Sequence, residues 1–283
     1  MSNDENKPIS SEEYKKVTEE LYGRNLELAK LYKQVESLNH ELGNANDNLQ
    51  ELIKQRENLV HLVTHKVKGS FTRSKYIFAG ILDGTFGEVN SEIKKYAEQG
   101  LESDNMGIET VDLVLSVANM QKGTVRYEMK SIDFTDLLNK TIAEKKIIAE
   151  AKGLQIETNI EAGTPNVSGD AFWLKEVVNN LIENSIKYTR AGKIVISLKK
   201  QDEKMLLSVK DSGIGITDED KKNLFTEGGR GKDSVKINVD STGYGLYSVK
   251  LIMDAHNGRV WAESEGLHMG STFFIELPLE KSN

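Results

Sequence analysis

The chain has 283 residues, of which 38% are hydrophobic, enough to build two modest domains or one large one around a real core. Lys and Arg number 37 against 44 Asp and Glu, a net charge of -7, so no basic field exists to condense on nucleic acid or anionic lipid. The lack of cysteine removes disulfide frameworks, thiol catalysis and thiolate metal sites, and apolar runs such as residues 77–82 fall short of the roughly 18 residues of a spanning helix. With no apolar leader in residues 1–7, the expectation is a cytoplasmic chain that binds no nucleic acid and inserts no segment into a membrane.

Only Pro8, Pro165 and Pro278 carry the strongest helix breaker, which permits very long helices over residues 9–164. From Tyr14 the apolar positions step by three and four through Val17, Leu21, Leu28, Leu31, Val35, Leu38, Leu42, Ala45, Leu49, Leu52, Leu59 and Val63, interrupted only by Arg24 and Arg56. A repeat of about 3.5 residues held over about seven heptads predicts a left-handed coiled coil, and a parallel dimer as its product. Residues 1–11 are expected to be disordered and 12–62 to form the coil. The alternative is one amphipathic helix packed on a globular core, but so narrow a stripe suits a seam better than a core face.

Helical patterning continues to Leu82, where Asp83-Gly84-Thr85-Phe86-Gly87 supplies turn chemistry. A second amphipathic stretch, Ser91 to Met120, is marked by Ile93, Tyr96, Ala97, Leu101, Ile108, Val111, Leu115 and Ala118. The two stretches predict a helical hairpin over 57–123. Two such hairpins joined through the coil would bury both stripes as a dimeric four-helix bundle.

From Ser131 the pattern alternates. Strands are predicted at 131–133, 154–160, 193–200, 204–210, 258–264 and 271–277, and helices at 134–152, 170–189 and 243–256. This is an α/β sandwich over 131–281, with helices on one face of a mostly antiparallel sheet. Residues 122–130 form the hinge. Ten of the 23 glycines fall between Gly213 and Gly270, and 212–242 reads as a long glycine-rich loop, a length usually associated with function.

The fold class is thus multidomain: a coiled coil and bundle, then an α/β sandwich. On the helix 170–189, Asn180, Asn184 and Lys187 share one face, opposite an apolar stripe of Val177, Val178, Leu181 and Ile182. Two amide oxygens and an ammonium can receive a hydrated Mg²⁺ and its phosphates, although such a face is most often simply solvated. Asp211-Ser212-Gly213-Ile214-Gly215 ends a strand with an acid that can accept from an exocyclic amine, and its glycines would let a purine approach. Gly243-Tyr244-Gly245-Leu246 opens a helix whose N-terminus suits a polyphosphate. Each Gly-x-Gly alone is explained by turn formation; the three elements in this order are not.

These residues resemble the cytoplasmic core of a two-component sensor histidine kinase, whose catalytic domain belongs to the GHKL nucleotide-binding superfamily. Asn180 to Thr189 is similar to the family's N box, Asp211 to Gly215 to its first glycine box, and Gly243 to Leu246 to its second. Leu224-Phe225 looks like the F box, and Gly270-Ser271-Thr272-Phe273 resembles the closing strand, with Ser271 for threonine. The resemblance covers about 57 to 279 and implies ATP and Mg²⁺ as cofactors. It implies that Asn184 coordinates the metal, that Lys187 contacts phosphate, that Tyr188 packs by the base and that Asp211 reads the adenine amine. Asn180, Gly213, Gly215, Gly243, Gly245, Leu246 and Ser271 would complete the site, with Arg230 and Lys232 in the loop as candidate phosphate clamps.

Related ATPases carry a glutamate at the place of Asn180 as general base for water; an amide cannot take that proton, which favours phosphotransfer over hydrolysis. Of His40, His61, His65, His256 and His268, only His65 aligns with the family's phosphoacceptor, and in the heptad register it is a c position pointing away from the seam. The motif departs from the family in three places. Lys66 stands for an acid that orients the imidazole, Gly69 for a Thr or Asn tied to phosphatase activity, and Ser70 for a helix-bending proline. The resemblance therefore implies a homodimer that autophosphorylates His65 and passes the phosphoryl group to a response-regulator receiver domain. The alternative is an ATP-binding scaffold dimer of weak catalysis, kept open by Lys66; a plain ATPase is disfavoured by Asn180.

Overall fold

The computed structural model describes residues 10–161, 163, 166–229 and 243–280. They fall into two units, the first ending at Val63 and the second starting at Thr64. The first is part of a single helix, α1, Ser11–Leu82. A reciprocal cap starts it: the Glu13 N–H donates to Ser10 Oγ at 3.2 Å and the Ser10 N–H donates to Glu13 Oε2 at 3.1 Å. The disorder expected for 1–11 lies outside the described residues, apart from Ser10 and Ser11, where the helix begins. Val17, Leu21, Leu31, Val35, Leu38 and Leu42 are all exposed, so the chain itself does not bury the heptad stripe. Among the described residues no helix is long and apolar enough to cross a membrane.

In the second unit, the rest of α1 runs antiparallel to α2, Ser91–Gln121. The turn between them is closed by Asp83 Oδ1, which accepts from the Thr85 hydroxyl at 2.6 Å and its N–H at 2.9 Å, and these bonds hold the carboxyl below its ordinary range. Asn90 then caps α2 by accepting from the Ile93 N–H at 2.8 Å. Two aromatic rings set the register of the hairpin. A Cβ added at Gly107 would lie 2.7 Å from the Phe71 ring, and one at Gly100 would overlap the ring of Phe78. Phe71 and Phe78 are seven residues apart, as are Gly100 and Gly107, so each ring enters a glycine hole one heptad from the next. Polar rungs flank them: Lys68 donates to Asp112 at 2.5 Å, and the Ser74 hydroxyl donates to the buried Asp104.

The α/β part contains β1 (Lys130–Ile132), α3 (Phe134–Ala151), β2 (Gln155–Ile160), β3 (Val167–Gly169), α4 (Ala171–Tyr188), β4 (Lys193–Gln201), β5 (Lys204–Asp211), α5 (Asp218–Lys221), α6 (Gly245–Ala255), β6 (Arg259–Glu263) and β7 (Ser271–Pro278). The five-stranded sheet has the order β2-β4-β5-β7-β6, with only the β2–β4 pair parallel; β1 and β3 form a separate antiparallel pair. Alternate residues face the core: Ile194, Ile196 and Leu198 on β4, Met205, Leu207 and Val209 on β5, Phe273, Ile275 and Leu277 on β7. Against them lie Leu138 and Ile142 of α3, Val177, Val178, Leu181 and Ile182 of α4, and Val249, Ile252 and Met253 of α6.

The structure moves some predicted boundaries and adds two elements. Helix α6 starts at Gly245, not 243, because Gly243 has φ 74°, a left-handed conformation that no right-handed helix accommodates. The three-residue strand β3 is too short to show alternation. Within the segment read as loop 212–242, Thr217 caps the single turn α5 by accepting from the Asp220 N–H at 3.1 Å.

The glycine holes yield a prediction of sign. Gly→Ala in an open helix stabilises by up to ~1 kcal/mol, which is expected at Gly23 and Gly43, where an added Cβ meets nothing within 4 Å. Gly100→Ala and Gly107→Ala should instead destabilise by about 1–3 kcal/mol through overpacking, and Phe78→Leu should relieve the first. Denaturant unfolding followed by circular dichroism checks both signs.

Candidate functional site

Helix α4 carries the central residues. Its start is capped by Asp170, whose Oδ1 accepts from the N–H groups of Phe172 at 3.0 Å and Trp173 at 3.4 Å. Its apolar stripe is buried as the pattern predicts, which leaves Asn180, Asn184 and Lys187 half-buried on the other side. The Asn180 amide donates to the Glu176 carbonyl at 3.1 Å, and its Oδ1 lies 2.6 Å from where a Cβ at Gly245 would stand. Gly245 is therefore required for α6 to approach α4. The Lys187 ammonium is 5.7 Å from the centre of the Tyr188 ring.

A helix leaves its last four carbonyls without partners inside the helix, and here each one has a partner. Ser185 O accepts from the Thr189 N–H at 3.2 Å and Tyr188 O from the Ile214 N–H at 3.3 Å. Ile186 O and Lys187 O both accept from Lys152 Nζ, at 2.6 and 3.0 Å. The Ser185 and Thr189 hydroxyls are buried at this same end with no partner among the described residues, a polarity that suits a polar ligand or a bound water rather than an apolar core.

Asp211 ends β5 with its side chain buried. Its Oδ1 accepts from the Gly213 N–H at 2.8 Å and the Ser271 N–H at 3.2 Å. Burial raises its pKa to about 6, partly offset by these two bonds. Ser271 thus contributes its backbone N–H. The two glycines of this segment have a nearer reason than the approach of a purine. A Cβ at Gly213 would lie 2.6 Å from Tyr188 O, and Gly215, at φ 72°, turns against the Gly266 carbonyl. They let the chain's own backbone close around Asp211.

Helix α6 begins behind Gly243, and Tyr244 at its N-cap makes no side-chain cap bond. Leu246 packs on the core, as do Leu224 and Phe225. Arg230 and Lys232 lie outside the described residues. His65 is exposed on α1, as are Lys66 and Ser70, while Gly69 is half-buried and Lys68 is paired with Asp112. Lys152 and Gln121 were not singled out by the sequence patterns. Gln121, at the end of α2, donates to Tyr247 Oη at 2.9 Å and to Glu227 Oε2 at 3.0 Å.

Residues 169–281 match the family described as histidine kinase-, DNA gyrase B-, and HSP90-like ATPase. Sensor protein RprX of Bacteroides fragilis is 32% identical over 200 residues, which span 70% of this chain and 36% of that protein. Sensor protein kinase WalK of Staphylococcus aureus is 28% identical over 235 residues, 82% of this chain and 55% of that one. The chain thus spans about a third to a half of these relatives. Full-length ShkA in complex with AMPPNP superposes over 80% of this chain and 46% of its own, with a TM-score of 0.66 at 21% identity. Acinetobacter baumannii histidine kinase AdeS does so over 77% and 98%, with a TM-score of 0.55 at 23% identity; these two are likenesses of fold. Over residues 169–281 the chain thus carries a domain of this ATPase type, and over the aligned stretches it is similar to sensor histidine kinases.

The raised pKa of Asp211 sets a pH dependence of stability. A carboxyl whose folded pKa lies above its unfolded value of 3.8 favours folding most below 3.8, and that contribution is lost as pH rises through about 6. Asp211→Asn keeps an oxygen for both N–H donors and carries no charge. Its stability relative to wild type should therefore rise between pH 4 and pH 7.5 by on the order of 2–3 kcal/mol, measured by urea unfolding at the two pH values.

Proposed function

We propose that the chain is the kinase core of a sensor histidine kinase, which transfers the γ-phosphoryl group of ATP to His65 and from there to an aspartate of a response-regulator receiver domain. The observation that carries this reading is the convergence of three separate segments on one end of α4: the Asn180, Asn184 and Lys187 face, the buried Asp211 with its glycines, and the glycine-led start of α6. The presence of AMPPNP in the ShkA structure, at a similar fold, supports an adenine nucleotide as the ligand.

In this reading Asp211 reads the base. Its Oδ1 is held by Gly213 and Ser271, so Oδ2 is the oxygen that accepts the exocyclic amine. Tyr188 lies beside the base, and the first turn of α6 receives the phosphates together with Lys187. Asn184 brings a single neutral amide oxygen, a donor that suits Mg²⁺ only in company with the phosphates; when bound, the ion would screen their charge as the phosphoryl group moves. Asn180 cannot accept a proton from water, and its amide is engaged with Glu176 O. The site therefore holds ATP for a nucleophile from the hairpin. An imidazole nitrogen of the exposed His65 attacks the γ-phosphorus, the bond to the bridging oxygen breaks, and ADP leaves.

The second reading, an ATP-binding scaffold, rests on Lys66. Lys66 has only donors and cannot orient the His65 ring as an acid would. Labelling with γ-labelled ATP decides between the two. Label on wild type that is lost in His65→Ala supports the kinase; no label with ATP binding intact supports the scaffold. Restoring an acid with Lys66→Glu should speed labelling, and positioned acid–base groups are typically worth ~10²–10⁴-fold, so an increase of at least about tenfold is expected.

The exposed heptad stripe supports a parallel homodimer through the coil and a four-helix bundle through the hairpin. Leu38→Glu with Leu42→Glu would place four carboxylates in a dimer seam and should give a monomer, or a dimer weakened by at least about tenfold. Light scattering at micromolar concentration reads the mass.

A further inference from the structure

The end of α3 meets the end of α4 through one side chain. Helix α3 stops in a Schellman motif: the Leu154 N–H donates to Ala149 O at 2.9 Å, the Gly153 N–H donates to Glu150 O at 2.9 Å, and Gly153 takes φ 77°. This places Lys152 at the C-cap, and its ammonium reaches Ile186 O and Lys187 O of α4 at 2.6 and 3.0 Å. Two of the four terminal carbonyls of α4 depend on this one side chain, and one belongs to Lys187 itself. The fourth, Tyr188 O, accepts from Ile214 beside Asp211, so the last turn of α4 is fixed between Lys152 and the Asp211 segment.

We infer that Lys152 is a positioning residue for the nucleotide site, acting through the last turn of α4 on Lys187 and cancelling the negative end of that helix where a polyphosphate binds. The inference rests on the nucleotide reading given above. Two effects combine. First, the C-terminus of a helix carries about half a negative charge, concentrated on its last carbonyls. Left without a cation, those carbonyls would oppose the anionic phosphates that Lys187 is there to attract. Second, the Lys152 bonds fix the backbone from which the Lys187 side chain leaves, so its ammonium is presented in one geometry. Burial lowers the Lys152 pKa, as expected of an ammonium drawn in from solvent. Lys152 lies 35 residues from Lys187 in sequence and belongs to none of the motifs around the site.

The two effects predict a graded response along the ligand. Adenosine touches the Asp211 end and carries no phosphate, whereas ATP carries the full anionic charge. Lys152→Met should weaken Mg²⁺-ATP about tenfold and adenosine less than about twofold, and Lys152→Arg, which keeps charge and donors, should recover most of the loss. Titration calorimetry on the full chain reads all three, with thermal unfolding recorded alongside. Should Lys152→Met fail to fold, Lys152→Gln keeps a donor without the charge and is measured in the same way. Equal losses for ATP and adenosine would reduce Lys152 to a structural prop and overturn the inference. No loss for ATP would overturn it as well. Failure of the wild-type chain to bind ATP is a different result, and it would remove the nucleotide reading instead.

Discussion

A carboxylate taken out of water has to be met by donors, and the architecture of the second unit follows from how it meets Asp211. The donors are backbone N–H groups of Gly213 and Ser271, from a turn and from the neighbouring strand β7. To bring them in, the chain needs glycine at Gly213 against Tyr188 O and a left-handed glycine at Gly215 against Gly266. The same turn gives the Ile214 N–H to the end of α4. One buried acid thus fixes the end of β5, the start of β7 and the last turn of the helix bearing Asn184 and Lys187. The raised pKa is the thermodynamic cost of this arrangement, of the kind expected where function and stability conflict.

The end of α4 is organised by the same need to satisfy polar groups. Thr189, Lys152 and Ile214 account for its four terminal carbonyls, whereas the Ser185 and Thr189 hydroxyls have no protein partner among the described residues. A helix end with a complete backbone and orphan side-chain hydroxyls is rigid in its frame and still open to a polar ligand. At the helical hairpin the constraint is steric: Phe71 in the Gly107 hole and Phe78 in the Gly100 hole allow one register of α1 on α2.

Much of this was legible in the sequence. The heptads of α1 and the stripe Val177-Val178-Leu181-Ile182 are periodic, and periodicity survives the loss of three-dimensional information. The three segments of the candidate site are marked by residue type and order. Other features depend on which distant backbone comes near. Gly213 and Gly215 read as room for a ligand, and the pattern carries no trace of the further room these glycines make for Tyr188 O and Gly266 O. Lys152-Gly153 is a readable helix stop, yet its reach to Lys187 O crosses from one helix to another and leaves no local trace. Strand β3 is too short for its alternation to register, and the glycine holes appear only once Phe71 and Phe78 are set against α2.

In the proposed reading, one nucleotide is held jointly by the end of α4, the Asp211 turn and the start of α6. Hydrogen exchange on the full chain, with and without Mg²⁺-ADP, tests it directly. Added protection is expected to concentrate in 180–189, 211–216 and 243–248, with the exposed stretch of α1 before Val63 unchanged. Protection confined to other segments, or none at saturating nucleotide, would contradict it.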